Sequence, residues 1–550
     1  NGSDEEIQYL NELADLLATR DDIAGAIATR RAAIDVRQRL TPDDVLAIAQ
    51  AQYDLAEFCA DHDDDESAET FHREALRLRR DSSLGKDSHD VSVSASTLAS
   101  LLKRNGRLAE ARELQMEALA ICQRLTPGDE SDIATLLNNL GSTLTSLGEN
   151  AEAETRLSAA LEIRRRLFPG DHWDVAQTLN NLVWVYHARG DLQRAEPLMR
   201  EAYEMVRRIH TEPHRDLCVL MDNYASLLVD LKRVEDAIPL RRESLAMWRK
   251  LYPKGSRDTA DCLHTLGRLL RDQGEYAEAR RHLEEALAMR RKVLGDPHED
   301  TERSLWLLVA VLQDAREFGA AIPFAREDVA MCRALAGKDD EEVTDALETY
   351  AFVLRDSGDD TAAIPAFREC LAARRALHAE DHDDVADAIT DLAFVLIFNG
   401  GEKEAEALLG ESVAMSRRLH PQGRAILSRA LNLLGQLAAQ RGDDAAAESL
   451  YRESLASSFV SLPAAGEHLA TAACALGERL VNARRHADAA TMLRDATKRL
   501  DDQPRVKKRD SGRCRDALVE ALYAWERVDP GHGHAAEADA VREQRQSRKR

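Results

Sequence analysis

The chain has 550 residues, 44% of them apolar but only 5% aromatic, a lean supply for the several thick cores that such a length ordinarily builds. A net charge of −24 sets most of the surface against nucleic acid and anionic membranes, and no run of 18 or more apolar residues offers a transmembrane helix. Eight cysteines without CxxC spacing, several of them on apolar faces, predict buried thiols in a reducing, cytoplasmic setting and exclude a disulfide framework.

Residues 1–7 open as Asn1-Gly2-Ser3, in the manner of a cleaved tag, and read as a lead-in without the basic and apolar regions of a secretory signal. From residue 8 to 500 one period governs the chain. The anchors Leu13, Leu55, Leu98, Leu140, Leu182, Tyr224, Leu266, Leu308, Tyr350, Leu392, Leu434 and Leu476 advance by 42 residues, once by 43. Thirteen residues after every anchor stands an alanine, from Ala26 to Ala489, and eight after it comes glycine in seven repeats, with Asp, Lys or Arg in the others. Within one unit Leu136, Leu140 and Leu144 share a face of a first helix, because a step of four returns to nearly the same side. Gly148 then supplies the left-handed conformation that ends a helix cheaply. A second helix is predicted from Asn150, with Ala153 and Ala160 on one stripe where small side chains let two helices approach. Linkers such as "FPGDHWDVA" and "HAEDHDDVADA" read as turns and helix caps. Asp328 stands where the other second helices carry a small residue. After a charged linker at 501–513, residues 514–541 read as a terminal cap, with a helix near Leu518 to Glu526, and 542–550 as a basic tail.

One helical hairpin cannot bury its apolar face alone, so neighbours must stack into an all-α solenoid. The pattern L-N-N-L at 137–140, Gly148, Ala153, the A-L pair at 160–161 and the D-H-W-D-V-A linker at 171–176 resembles tetratricopeptide repeats of the 42-residue kind seen in kinesin light chains and in many bacterial signalling proteins. That resemblance implies a right-handed superhelix of about twelve helix-turn-helix repeats with a C-terminal cap. It also implies that the first helices line a concave groove holding peptide segments of partner proteins.

In the family an Asn just before the anchor often clamps the backbone of an extended ligand, which points to Asn139, Asn181 and Asn223. A carboxamide offers both a donor and an acceptor to a peptide unit; the alternative is that these amides bond the neighbouring repeat and shape the turn. Positions two, five and six after the anchor should also face the groove: Trp184 and His187, Arg268 and Arg271, Phe352 and Arg355, Phe394 and Phe398, with Lys103 and Arg104 at equivalent places. Arginines and aromatics are typical recognition anchors, unless Asp230, Asp272, Asp314 and Asp356 neutralise the arginines in a lattice within the solenoid.

The acidic run "DHDDDE" at 61–66 lacks the Gly and the distal Glu of a calcium loop, and "GHGH" at 531–534 lacks partner ligands, so no metal is assigned to either. No phosphate loop, G-x-S-x-G or H-E-x-x-H occurs, and no cofactor or catalytic activity is expected. The reading is a non-catalytic scaffold or adaptor that binds a peptide or folded protein. The alternative is the regulatory arm of a larger bacterial effector, such as a caspase-like peptidase or a signalling NTPase. Nothing in the sequence fixes an oligomeric state.

Overall fold

The computed structural model describes residues 2–20, 22–62, 64–82, 85–336, 340–503 and 505–547. Among them are 26 α-helices and no strand, from Gly2–Thr19 (α1) to His534–Ser547 (α26). Apart from the thirteenth and fourteenth helices, they pair in order into eleven hairpins, each with an odd-numbered first helix and an even-numbered second helix, followed by α25 (Lys508–Val528) and α26. Two compact units result, residues 1–262 and 263–550. No helix among the described residues is long and apolar enough to cross a membrane.

The fourth hairpin shows how the repeat folds. In α7 (Glu130–Ser146) the side chains of Leu136, Leu140 and Leu144 are buried, and in α8 (Asn150–Leu167) Ala153 and Ala160 are fully buried. Between the two helices Gly148 takes φ +78°, its N–H bonds Thr145 O, and the Glu149 N–H reaches back to Leu144 O at 2.9 Å. This geometry satisfies carbonyls that the end of α7 would otherwise leave unpaired. The contact rule holds along the chain, since all twelve alanines thirteen after the anchors have no exposed surface. Nine anchors are buried, while Leu13, Tyr350 and Leu434 are half-buried.

All seven glycines eight after the anchors have positive φ, and so do the residues that replace glycine at Lys232, Arg316 and Arg484, with φ of 63°, 59° and 58°. The other two replacements, Asp21 and Asp63, lie outside the described residues. A Cβ in this region costs about 1–2 kcal/mol, partly offset by the extra freedom glycine has when unfolded. Glycine at Lys232, Arg316 or Arg484 should therefore stabilise its unit by about 0.5–1 kcal/mol, read as a raised urea midpoint; a lowered midpoint at all three would refute this account of the turn.

Linker histidines act as helix caps. The Nδ1 atoms of His172, His214, His298 and His382 accept the N–H two residues on at 3.0–3.3 Å, a role open only to a ring nitrogen without its proton. In the "DHDDDE" run Asp64 caps α4 (Asp65–Asp81) and Asp65 pairs with Arg104, so these two carboxylates serve the fold.

The second helices are laced to one another by a recurring ion pair. Arginine 25 after one anchor meets glutamate 19 after the next, as in Arg165 with Glu201 at 2.7 Å, Arg375 with Glu411 at 2.7 Å and Arg417 with Glu453 at 2.8 Å. Each exposed pair is worth only about 0–1 kcal/mol, but the series favours one register between neighbours.

Helices reach further at both ends than the expected limits. α1 begins at Gly2, inside the stretch read as a lead-in. α25 begins at Lys508, inside the stretch read as a linker, because Cys514 is buried in the terminal core and the buried Arg515 guanidinium pairs with Asp501. α26 carries most of the basic tail to Ser547; residues 548–550 lie outside the described residues.

Candidate functional site

Within each unit the first helices come closest to one another across repeats. α5 (His89–Arg104) touches α7 and α7 touches α9 (Trp173–Ala188). In the second unit α19 (Asp383–Phe398) touches α21 (Ala425–Gln440), which touches α23 (Gly466–Asn482). Among the described residues no two second helices approach as closely, so these first helices line the inner face of the part of each unit they build.

On the first unit's inner face the asparagines form rungs. Asn181 Nδ2 donates to Asn138 Oδ1 at 3.0 Å and Asn223 Nδ2 to Asn180 Oδ1 at 3.0 Å, while Asn139 Oδ1 accepts from Asn138 Nδ2 at 3.4 Å. One of the two side-chain N–H donors of Asn181 and of Asn223 is thus engaged with the neighbouring repeat. Trp184 meets His187 edge-on at 5.2 Å, and His187 Nε2 lies 2.8 Å from Asp230 Oδ2 of the next repeat. Lys103 Nζ donates to Ser142 Oγ at 2.5 Å, and its burial lowers the amine from its usual range.

In the second unit Arg271 pairs with Asp314 of the next repeat at 2.6 Å, whereas Arg355 pairs with its own neighbour Asp356 at 2.7 Å. Of the four aspartates expected to neutralise arginines, Asp314 and Asp356 therefore pair with Arg271 and Arg355, and Asp230 meets His187 instead. Arg268 is exposed and has no ion pair among the described residues. Phe352, Arg355, Phe394 and Phe398 come together as a shelf. The Arg355 guanidinium lies 4.7 Å from the Phe352 ring centroid and 5.9 Å from that of Phe394, Phe394 meets Phe398 edge-on at 5.1 Å, and Phe398 is 60% exposed.

Beside this shelf the floor is acidic. The buried Arg374 guanidinium binds Asp345, Glu348 at 3.2 Å and Asp384 at 3.6 Å, and Arg429 binds the buried Asp391. Asp387 stands among them without an ion pair among the described residues. Burial first, and then the charge of Asp391, push its carboxyl up to about 6, against the pull of Arg429; Glu348 is raised by burial and by Asp391. Carboxylates that raise one another mark a negative potential open to a cation. In repeat 8 burial, with repulsion from Glu302 and Glu327, pushes Asp328 up to about 8.

Residues 132–208, 216–292, 268–334 and 342–418 match the profile of the tetratricopeptide repeat, and 91–127 match a second profile of the same repeat, together more than half of the chain. The chain belongs to the tetratricopeptide repeat family. Similar solved structures include BtubC (BKLC) from P. vanneervenii, at 20% identity over 42% of this chain and 92% of that one, with a TM-score of 0.34. A putative kinesin light chain with nearly identical TPR-like repeats from Podospora anserina has 19% identity over 36% of this chain and 95% of that one, also with a TM-score of 0.34. A signal transduction ATPase with numerous domains and a tetratricopeptide repeat sensor, from Pyrococcus horikoshii, has 13% identity over 71% of this chain and 56% of that one, with a TM-score of 0.46. No curated protein matches the sequence.

On these tetratricopeptide repeats, positions one, two, five and six from the anchor include the aromatic shelf and leave out the acidic floor. The signal was present. Asp345 and Asp387 lie five before their anchors, seven residues from Phe352 and Phe394, and a step of seven stacks side chains on one helical stripe. Trp306, two before its anchor and 49% exposed, was missed for the same reason.

Proposed function

We propose that the chain is a non-catalytic interaction scaffold whose second unit binds a basic, apolar-bearing peptide segment on its inner face. The observation that carries this reading is the pairing of an exposed phenylalanine shelf with a carboxylate floor on consecutive first helices, α17 (Glu341–Ser357) and α19. A cationic side chain would be drawn to Asp387 while an apolar neighbour lies on Phe394 and Phe398, which gives both electrostatic complementarity and a desolvated anchor. The same face would serve a sensor arm of a larger effector, with the bound segment then belonging to that effector.

Fluorescence anisotropy with a labelled eight-residue peptide alternating lysine and leucine tests this. Micromolar affinity, about 8 kcal/mol, is expected, weakening about tenfold or more as salt screens the floor. Asp387→Asn should weaken binding about three- to tenfold, and Phe398→Ala by about tenfold. Equal affinity for a glutamate-leucine counterpart, or indifference to both substitutions, would sink the proposal.

A further inference from the structure

Repeat 8 departs from its neighbours at three places that meet in space. Six before the anchor, where repeat 1 carries Ile7 and the other repeats Ala, Ser, Thr or Cys, stands Glu302 on α15 (Glu299–Asp314). Twenty after it, where others carry Ala, Ser or Cys, stands Asp328 on α16 (Phe318–Ala336). Four further on is Cys332, where repeats 2, 4, 7 and 9 place a buried arginine. The small hydroxyls at the Asp328 position elsewhere have an evident use, since Ser412 Oγ donates to Ala386 O at 3.1 Å and Ser454 Oγ to Ser428 O at 2.9 Å. Asp328 has no such use for both its oxygens. It is 1% exposed and its Oδ1 has no hydrogen-bond partner, a costly state for a carboxyl group.

We infer that Glu302, Asp328 and Cys332 form a binding site for a single divalent transition-metal ion of the zinc class. One ligand atom from each residue lies within 4.8 Å of the others, and Asp328 and Cys332 are one helical turn apart on the same helix. An ion drawn between these atoms would supply the positive charge that arginine gives the equivalent place in other repeats. The thiol directs selection toward zinc and away from magnesium or calcium, and three protein ligands leave a fourth position for water. On binding, the Cys332 thiol and the Asp328 carboxyl release their protons to solvent and ligate as thiolate and carboxylate. Glu342, whose charge acts on both Glu302 and Cys332, adds to the attraction.

Two other clusters, His210 with His214 and Asp216, and His378 with His382 and Asp384, have ligand atoms equally close. Their imidazoles stack flat at 3.6 Å, as Phe168 stacks on His172 in repeat 4, so ring packing accounts for them without an ion.

The test is cobalt and zinc titration of the full chain after chelator treatment. One equivalent of cobalt should bind with a thiolate charge-transfer absorbance in the near ultraviolet, and zinc should displace it. Asp328→Ser, the residue found there in other repeats, and Cys332→Ser should each weaken binding about 100-fold or more, since even groups beyond the ligands cost about 10–100-fold. Both variants are checked for unchanged helicity by circular dichroism. The double variant His214→Ala with His382→Ala should keep the site. Absence of the charge-transfer band in the parent chain, binding undiminished in both ligand variants, or loss of binding in the histidine variant would each overturn the assignment.

Discussion

Leucine in place of Ala153 is expected to destabilise the first unit by about 1–3 kcal/mol. Ala153 has no exposed surface and lies where α8 meets its neighbours, so three added carbons have no free volume to enter. Alanine in place of Gly141 tests the same contact from the facing helix. A Cβ there would lie 2.5 Å from Leu157 Cγ, closer than real Cβ contacts, and Leu157 is itself fully buried and cannot swing into solvent. Its penalty should be smaller than that of Ala153→Leu, because replacing a mid-helix glycine returns about 0.5–1 kcal/mol of helix propensity. Pairing Gly141→Ala with Leu157→Met, whose unbranched Cγ is slimmer there, should recover part of the loss. Because each repeat leans only on its neighbours, hydrogen exchange should accelerate in α7 to α9 and not at the unit's start. Unchanged exchange and an unchanged unfolding midpoint for Ala153→Leu would show that the alanine stripe is not a helix contact.

That contact was legible in the sequence because it repeats. A residue that recurs at one register in every unit can be assigned by counting, and the helical hairpins, the bend at Gly148 and the buried alanines all came from registers of this kind. Groove chemistry is harder to read, since it lies in what differs between repeats. Phe352, Phe394 and Phe398 fall two and six after their anchors, at places expected to face the groove, whereas Asp387 was one carboxylate among many and gained meaning from its seven-residue step to Phe394 together with the charges of Asp391 and Arg429 beside it. The asparagines were open to two readings, a ligand clamp and a bond to the neighbouring repeat; Asn181 and Asn223 each give one N–H to the preceding repeat, and a bond between residues 43 apart becomes visible only once the repeats are stacked. Glu302, Asp328 and Cys332 were separated in the chain by up to 30 residues and met no motif spacing. Only Asp328 broke a register strongly enough to be noticed.

Asparagine in place of Asp387 should raise stability at neutral pH while weakening the binding that the acidic floor supports. The folded-state carboxyl sits at about 6 against an ordinary 3.8, so between those values the folded chain holds a proton that the unfolded chain has released. Stability therefore falls as pH rises from about 4 to about 6 and then stays level, the withdrawn amount being on the order of 3 kcal/mol. Burial and the charges of Asp391, Glu348 and Asp383 cause the rise, and Arg429 opposes it. Parent and Asp387→Asn should thus unfold alike near pH 4, with the variant ahead by about 2–3 kcal/mol at pH 7.5. His264 runs the other way. Burial, then Arg290, lowers it to about 4, so its neutral form stabilises the fold fully above 6.5 and the contribution is lost as pH falls toward 4. That trend is common to both proteins and cancels in their difference. If the two unfolding curves stay parallel from pH 4 to 7.5, Asp387 is not held at a raised value and the floor lacks the negative potential assigned to it. A variant more stable at pH 7.5 yet weaker for the lysine-leucine peptide would mean that the repulsion among these carboxylates is retained for recognition, at a cost to the fold that a bound cation offsets.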